Sequence, residues 1–244
     1  MKWLFLSSGW NSGKFNMETD LFLATNCEPD EAVFRLYKWQ PFCISLGANQ
    51  NDNIIDYTET KKDGIDVVKR PTGGRAILHA EEITYSLIYP VLPVTSAKEL
   101  YFNINSALKK GLEKFDEKLH DIELEDEQQD FSKLYKESSG SICFAASAKN
   151  ELKYKGKKLV GSAQRKFKNS ILQHGSILCG GFHTNITKYL KIPDKEKRII
   201  EAELNEKTID LSVVLKGKVN YETLSESLIL GFQEYFKITD LQYV

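Results

Sequence analysis

The chain has 244 residues, 41% apolar and 27% charged, a composition that excludes an intrinsically disordered chain and supplies the core of one large domain over residues 1–244. Thirty-three basic against 34 acidic residues leave a net charge of -1, so no global field calls for nucleic acid or a membrane surface. No apolar run approaches the ~18 residues of a membrane span, and the apolar stretch at Trp3–Leu6 is too short for a signal-peptide core, so a cytoplasmic protein is expected.

In chain order, Phe15 to Asn26 reads as a helix opening after Asn11-Ser12-Gly13, with Asp20 beside apolar Leu21, Phe22 and Leu23. Val33–Trp39 and Cys43–Leu46 read as strands separated by Gln40-Pro41, giving a helix followed by a hairpin. Asp66–Lys69, Arg75–Leu78 and Ile83–Tyr89 add three strands whose short connections favour antiparallel pairing. From Ala97 to Lys118, Leu100, Ile104, Leu108, Leu112 and Phe115 recur at helical intervals. Leu152–Tyr154, Lys158–Gly161 and Ile171–Leu178 read as strands, and Tyr221–Phe236 as a closing amphipathic helix. The expected class is α+β, with mixed, largely antiparallel sheets and packed helices.

Charge is uneven along this neutral chain. Residues 113–130 hold nine acids and two lysines, whereas residues 149–168 hold eight bases and a single acid, Glu151. The basic stretch reads either as a steering surface for an acidic partner or as a solvated hairpin face.

Two constellations carry chemistry. The first is Lys69-Arg70-Pro71-Thr72-Gly73-Gly74-Arg75 with His79. Adjacent glycines let a ligand approach main-chain N–H groups closely, and Arg70 and Arg75 add charged donors, which suits an anionic or carbonyl-bearing ligand. An ordinary Pro-Gly turn would read the same way, and the spacing is not that of a P-loop. The second runs from Ser141-Ile142-Cys143-Phe144 through Lys158, Gly161, Ser162 and Ala163 to His174-Gly175-Ser176. Cys143 follows a small, polar segment where a thiol can meet substrate, and an ammonium that lowers a thiol's pKa by about 1.5 units makes roughly half of it thiolate at neutral pH. A small buried residue is the alternative for Cys143, more so for Cys27, Cys43 and Cys179. His79 and His174 read as bases or as satisfied structural histidines. The four cysteines show no metal-ligand spacing, and no metal and no cofactor are expected.

Taken together, these motifs resemble the biotin/lipoate protein ligase superfamily, and within it the octanoyltransferases of the Gram-positive type. The resemblance runs from Ser45-Leu46-Gly47-Ala48-Asn49-Gln50 to His174-Gly175-Ser176-Ile177-Leu178. It implies a ligase-like catalytic domain in which Arg70, Thr72, Gly73, Gly74, Arg75 and His79 belong to the acyl-site loop. Gly161, Ser162, Ala163, His174 and Gly175 complete the substrate site, Lys158 contacts the acyl carbonyl and Cys143 is the nucleophile. The implied donor is octanoyl acyl carrier protein, and the implied acceptor is a lysine of a lipoyl-domain protein such as glycine cleavage H protein. The related ATP-dependent lipoate ligases usually carry GGGA in the loop, where this chain has Gly73-Gly74-Arg75-Ala76. The other octanoyltransferase type places its cysteine three residues before His-Gly, a position held here by Ile171. A ligase or a non-catalytic accessory protein remains the alternative.

Overall fold

A computed structural model describes residues 1–93, 96–125 and 149–244. The first elements are β1 (Lys2–Asn11), α1 (Gly13–Thr25), β2 (Glu31–Trp39), β3 (Cys43–Leu46) and α2 (Tyr57–Lys62). Next come β4 (Asp66–Lys69), β5 (Ile77–His79), β6 (Glu82–Pro90), α3 (Ala97–Phe115) and β7 (Ile122–Leu124). The remainder comprises β8 (Leu152–Tyr154), β9 (Lys157–Lys158), β10 (Val160–Lys166), β11 (Ser170–Leu178), α4 (Asp194–Lys207), α5 (Leu211–Leu215), α6 (Tyr221–Phe236) and β12 (Leu241–Tyr243). The fold is α+β.

A six-stranded sheet in the order β10-β11-β6-β2-β1-β12 forms its centre. Strand β1 pairs in parallel with β2 and β12, and the remaining pairings are antiparallel. Side chains alternate across this sheet with period two, as the pleat requires. Phe34 and Leu36 of β2, with Ile83, Tyr85 and Leu87 of β6, enter the main core against Ile104, Leu108 and Leu112 of α3 and Leu228 and Phe232 of α6. Phe34 stacks on Phe232 with centroids 3.8 Å apart, and each such side chain, buried completely, contributes about 1.5–3 kcal/mol. The intervening residues Arg35, Ser86 and His174 face the other way and bond to Asp20 of α1. The strands therefore present an apolar face to the helix pair and a polar one to the rest of the molecule.

Helix α1 inverts the usual amphipathic rule. Asn16 and Asp20 are buried while Phe15 and Phe22 are exposed. Its start is capped by Ser12, whose hydroxyl accepts from the Phe15 N–H.

A three-stranded sheet, β4-β3-β5, lies beyond this polar face and has its own apolar cluster, centred on Ile44, Leu46 and Leu78 and shared with Leu204 of α4. The expected hairpin of Val33–Trp39 with Cys43–Leu46 does not form. Strand β2 pairs with β1 and β6, whereas β3 pairs in parallel with β4 and antiparallel with β5. The short link around Gln40-Pro41 carries the chain from one sheet to the other, and the pairing partners that decide this are remote in sequence.

The third sheet, β7-β8-β9, joins the acidic and basic stretches. Glu123 lies opposite Lys153, Lys153 pairs with Glu125, and Lys155 stands 3.8 Å from Asp121. Part of the basic stretch is thus neutralised within the fold. Lys149, Arg165, Lys166 and Lys168 are exposed. No helix among the described residues is long and apolar enough to cross a membrane.

Candidate functional site

The loop joining β4 to β5 is shaped by one arginine. The Arg70 guanidinium donates to the carbonyls of Ser45, Gly73 and Arg75 at 2.9, 3.0 and 2.8 Å and to the Ser45 hydroxyl at 3.1 Å. Its donors shape the loop from within, so the charged donor expected for a ligand is engaged in holding Gly73 and Gly74 in place. The loop also presses against the segment after β3. A Cβ at Gly47 would lie 2.0 Å from the Gly74 carbonyl oxygen, so only glycine fits there. Gly74 itself has φ +102°, in the region open to glycine.

Gly73 and Gly74 form one wall of a cavity of about 350 Å³, within reach of the smaller ligand pockets proteins use. His79, Lys158, Gly161, Ser162, Ala163, His174 and Gly175 line the same cavity. Met17, Tyr37, Trp39, Ile77 and Tyr101 supply apolar surface. Gly175 is required by close packing, since a Cβ there would stand 2.4 Å from the Gly161 carbonyl oxygen.

Two buried relays set the histidines. His174 donates through Nδ1 to Asp20, 3.2 Å away, leaving Nε2 to accept from the Thr72 hydroxyl at 2.7 Å. Asp20 also receives Arg35, Tyr37 and Ser86 at 2.7, 2.9 and 2.8 Å. Burial alone would raise the Asp20 pKa, but the His174 hydrogen bond and the Arg35 charge outweigh it and hold the carboxyl below its ordinary value. Burial lowers the His174 pKa against the pull of Asp20, which favours the neutral ring, and the Asp20 carboxylate, an acceptor, calls for the proton on Nδ1. The second relay runs from the Ser45 hydroxyl to His79 Nε2 at 2.7 Å, and from His79 Nδ1 to Glu82 at 2.8 Å. Glu82 also accepts from Ser176 at 2.7 Å and Thr84 at 2.5 Å. Trp39 stacks on the His79 ring with centroids 4.2 Å apart.

At the free edge of the large sheet, Lys158 and Glu151 meet in the cavity wall. Their charged atoms are 2.9 Å apart and their side chains are 4% and 3% exposed. The second Glu151 oxygen accepts from the Ser162 N–H at 3.2 Å, an edge-strand donor facing away from β11. The carboxylate thus ties Lys158 to the strand that carries Gly161-Ser162-Ala163. A fixed, buried ammonium can stabilise negative charge developing on a carbonyl oxygen or a sulfur.

The glycine-loop cavity with its buried lysine invites comparison with known proteins. The family model of the lipoyl protein ligase A/B catalytic domain matches residues 12–233. The chain belongs to this family. Among curated relatives, the octanoyltransferase LipM of Kyrpidia tusciae is 34% identical over 240 residues, covering 95% of this chain and 86% of its own. That of an Exiguobacterium species is 31% identical, covering 97% and 87%. Among solved structures, the bipartite lipoate protein ligase of Thermoplasma acidophilum superposes with a TM-score of 0.77 at 18% identity, over 100% of this chain and 88% of that one, and so shares the fold.

On this ligase-family fold, ten of the thirteen expected site residues line the cavity or touch its loop from within it. These are Arg70, Gly73, Gly74, His79, Lys158, Gly161, Ser162, Ala163, His174 and Gly175. Thr72 is buried beneath them, bonded to His174, and Arg75 is represented at the loop by its carbonyl, which accepts from Arg70. Cys143 lies outside the described residues. Of the other cysteines, Cys43 and Cys179 are buried, and burial first, then the charges of Glu31 and Glu28, push the Cys27 thiol up to about 11. Sequence reading missed the roles of Glu151 and Asp20. Glu151 had a signal, being the lone acid of a basic run immediately before a strand, whereas Asp20 gains its partners Arg35, Ser86 and His174 through contacts remote in sequence.

Proposed function

We propose that the chain is a cysteine-dependent octanoyltransferase of lipoate assembly. Cys143, as thiolate, attacks the thioester of octanoyl acyl carrier protein, the C–S bond to the carrier breaks, and an octanoyl-enzyme thioester remains. A lysine amine of a lipoyl-domain protein, such as glycine cleavage H protein, then attacks that thioester and leaves as the octanoyl amide. Two successive half-reactions give ping-pong kinetics. The observation that carries this reading is the buried Lys158, held in the wall of the cavity that Gly73 and Gly74 also line. A cation so placed favours the charge that builds on the acyl oxygen in both half-reactions.

The naming of the curated relatives supports the donor class, since both reported above are octanoyltransferases over nearly the whole of this chain. Met17, Tyr37, Trp39 and Ile77 offer apolar surface to an acyl tail. At about 0.8 kcal/mol per buried CH₂, six methylenes contribute roughly 5 kcal/mol at most, so selection of chain length is coarse.

One assay separates this reading from ATP-dependent ligation. Purified protein incubated with octanoyl carrier protein and a lipoyl domain, without nucleotide, should octanoylate the domain. Modification only with free octanoate plus ATP would assign the chain to the ligases instead.

A further inference from the structure

The basic run of residues 149–168 divides into two parts in the fold. Lys153, Lys155 and Lys158 meet Glu125, Asp121 and Glu151, so their charges are answered inside the domain. Arg165, Lys166 and Lys168, around the turn between β10 and β11, are exposed and face no carboxylate among the described residues. Packing holds this turn in place. Phe167 joins the apolar cluster of Ala24, Val33, Ile88 and Leu172, its N–H donates to the Ser170 carbonyl at 2.8 Å, and the Ser170 hydroxyl donates to the Ala24 carbonyl at 2.5 Å. Arg165 lies over the Phe167 ring, 4.9 Å from its centroid, and donates to the Pro71 carbonyl at 2.7 Å, which sets the turn against the glycine loop. Gly73 of that loop lines the cavity and is exposed, and Ala163 and Gln164, just before Arg165, line the cavity as well. The cations therefore stand at the cavity mouth. Neither residues 67–80 nor residues 161–178 contain an acid, so nothing in either segment offsets their field.

We propose that this rim of Arg165, Lys166 and Lys168 is the docking surface for the acyl donor, a carrier protein that presents carboxylates around the phosphate-bearing arm holding its thioester. The proposal rests on the octanoyltransferase reading. The two partners of that reaction differ in charge at the group they bring to the mouth. The acceptor brings a lysine ammonium, which a cationic rim repels. The donor brings its acyl group on an arm that carries an anion, which the same rim attracts. Charges at the rim of an interface act mainly on the rate of encounter, and salt screens them over about 10 Å at 0.1 M.

The test is rapid-quench measurement of acyl-enzyme formation in wild type and in Lys166→Glu/Lys168→Glu, a reversal of two exposed charges. With octanoyl carrier protein at low salt, the second-order rate constant should fall about 10- to 10²-fold, and the gap should close to about threefold or less at about 0.5 M salt. With octanoyl-pantetheine, an uncharged thioester lacking both the carrier protein and the phosphate, the two enzymes should agree within about twofold. Lys166→Arg/Lys168→Arg should behave as wild type. A rate with carrier protein within about twofold of wild type, an equal loss with octanoyl-pantetheine, or a loss that high salt leaves intact would overturn the proposal. A loss confined to transfer onto a lipoyl domain would also overturn it, by assigning the rim to the acceptor. Wild type acylated by neither thioester would instead overturn the octanoyltransferase reading itself.

Discussion

The molecule holds two buried charge clusters built to different ends. Around Asp20, a single carboxylate receives Arg35, Tyr37, Ser86 and His174, and the Asp20 and Arg35 side chains are both fully buried. Neither belongs to the cavity wall, whereas Lys158 and Glu151 both do. A carboxylate saturated by protein donors is scaffold, fixing α1, β2, β6 and β11 and, through His174 and Thr72, the glycine loop. Lys158 and Glu151 pair instead on the cavity surface, where an ammonium can meet a substrate carbonyl. The comparison teaches that burial alone does not set a charge pair on a candidate site; position on the cavity does.

The contrast is broken most severely at its scaffold. Asp20→Asn leaves Arg35 buried without its counter-charge and should cost about 3–5 kcal/mol, read by urea unfolding, with activity per folded molecule largely kept. Unchanged stability would show that the cluster is not what fixes α1. Lys158→Ala attacks the other cluster and should lower the rate of acyl-enzyme formation about 10²- to 10³-fold; a near-normal rate in single-turnover experiments would leave Lys158 a structural residue. Gly47→Ala drives a methyl group into the Gly74 carbonyl and should cost about 1–3 kcal/mol, with the thermal midpoint and KM for the acyl donor both worsening.

A gentler probe uses pH. The His174 pKa is lowered in the fold, so between the unfolded value near 6.5 and the lower folded value the unfolded chain binds more protons. Stability from this group is present above pH 6.5 and is lost as pH falls below it, and His183, also lowered by burial, adds the same sign. Asp20, lowered too, contributes stability above its unfolded value near 3.9 that is lost only at more acidic pH. His174→Gln should therefore flatten the decline just below pH 6.5 without abolishing it, measured as unfolding midpoints at pH 7.5 and 5.5. An unaltered decline would assign it to other groups. The smallest effect belongs to Arg165, whose exposed guanidinium reaches the Pro71 carbonyl at 2.7 Å; Arg165→Ala should move stability by about 0.5 kcal/mol or less.

Elements governed by local pattern were the legible part of the fold. The helical spacing of Leu100, Ile104, Leu108 and Leu112 and the run Tyr221–Phe236 correspond to α3 and α6, because each buries one face against the other and the sheet. Pairing was not legible. The partners of β2 and β3 are chosen by strands far away in the chain, so a short proline-containing link looked like a hairpin. Opposite charges at residues 121–125 and 153–155 looked like two separate surfaces until β7 and β8 brought them together. At the site, glycines carried the message: Gly73, Gly74, Gly161 and Gly175 all line the cavity, Gly74 with positive φ and Gly175 packed on the Gly161 backbone. Glu151 stood out only as a single acid among bases, and its pairing with Lys158 depends on how β8 and β9 fold together.

The central claim is that octanoyl rests covalently on Cys143 between donor and acceptor. Intact-mass spectrometry of a reaction quenched before acceptor is added tests it directly. The account predicts one octanoyl group per chain, labile to hydroxylamine, mapping to Cys143 and missing from Cys143→Ser. An unmodified chain during active turnover, or an adduct that persists in Cys143→Ser, would contradict it.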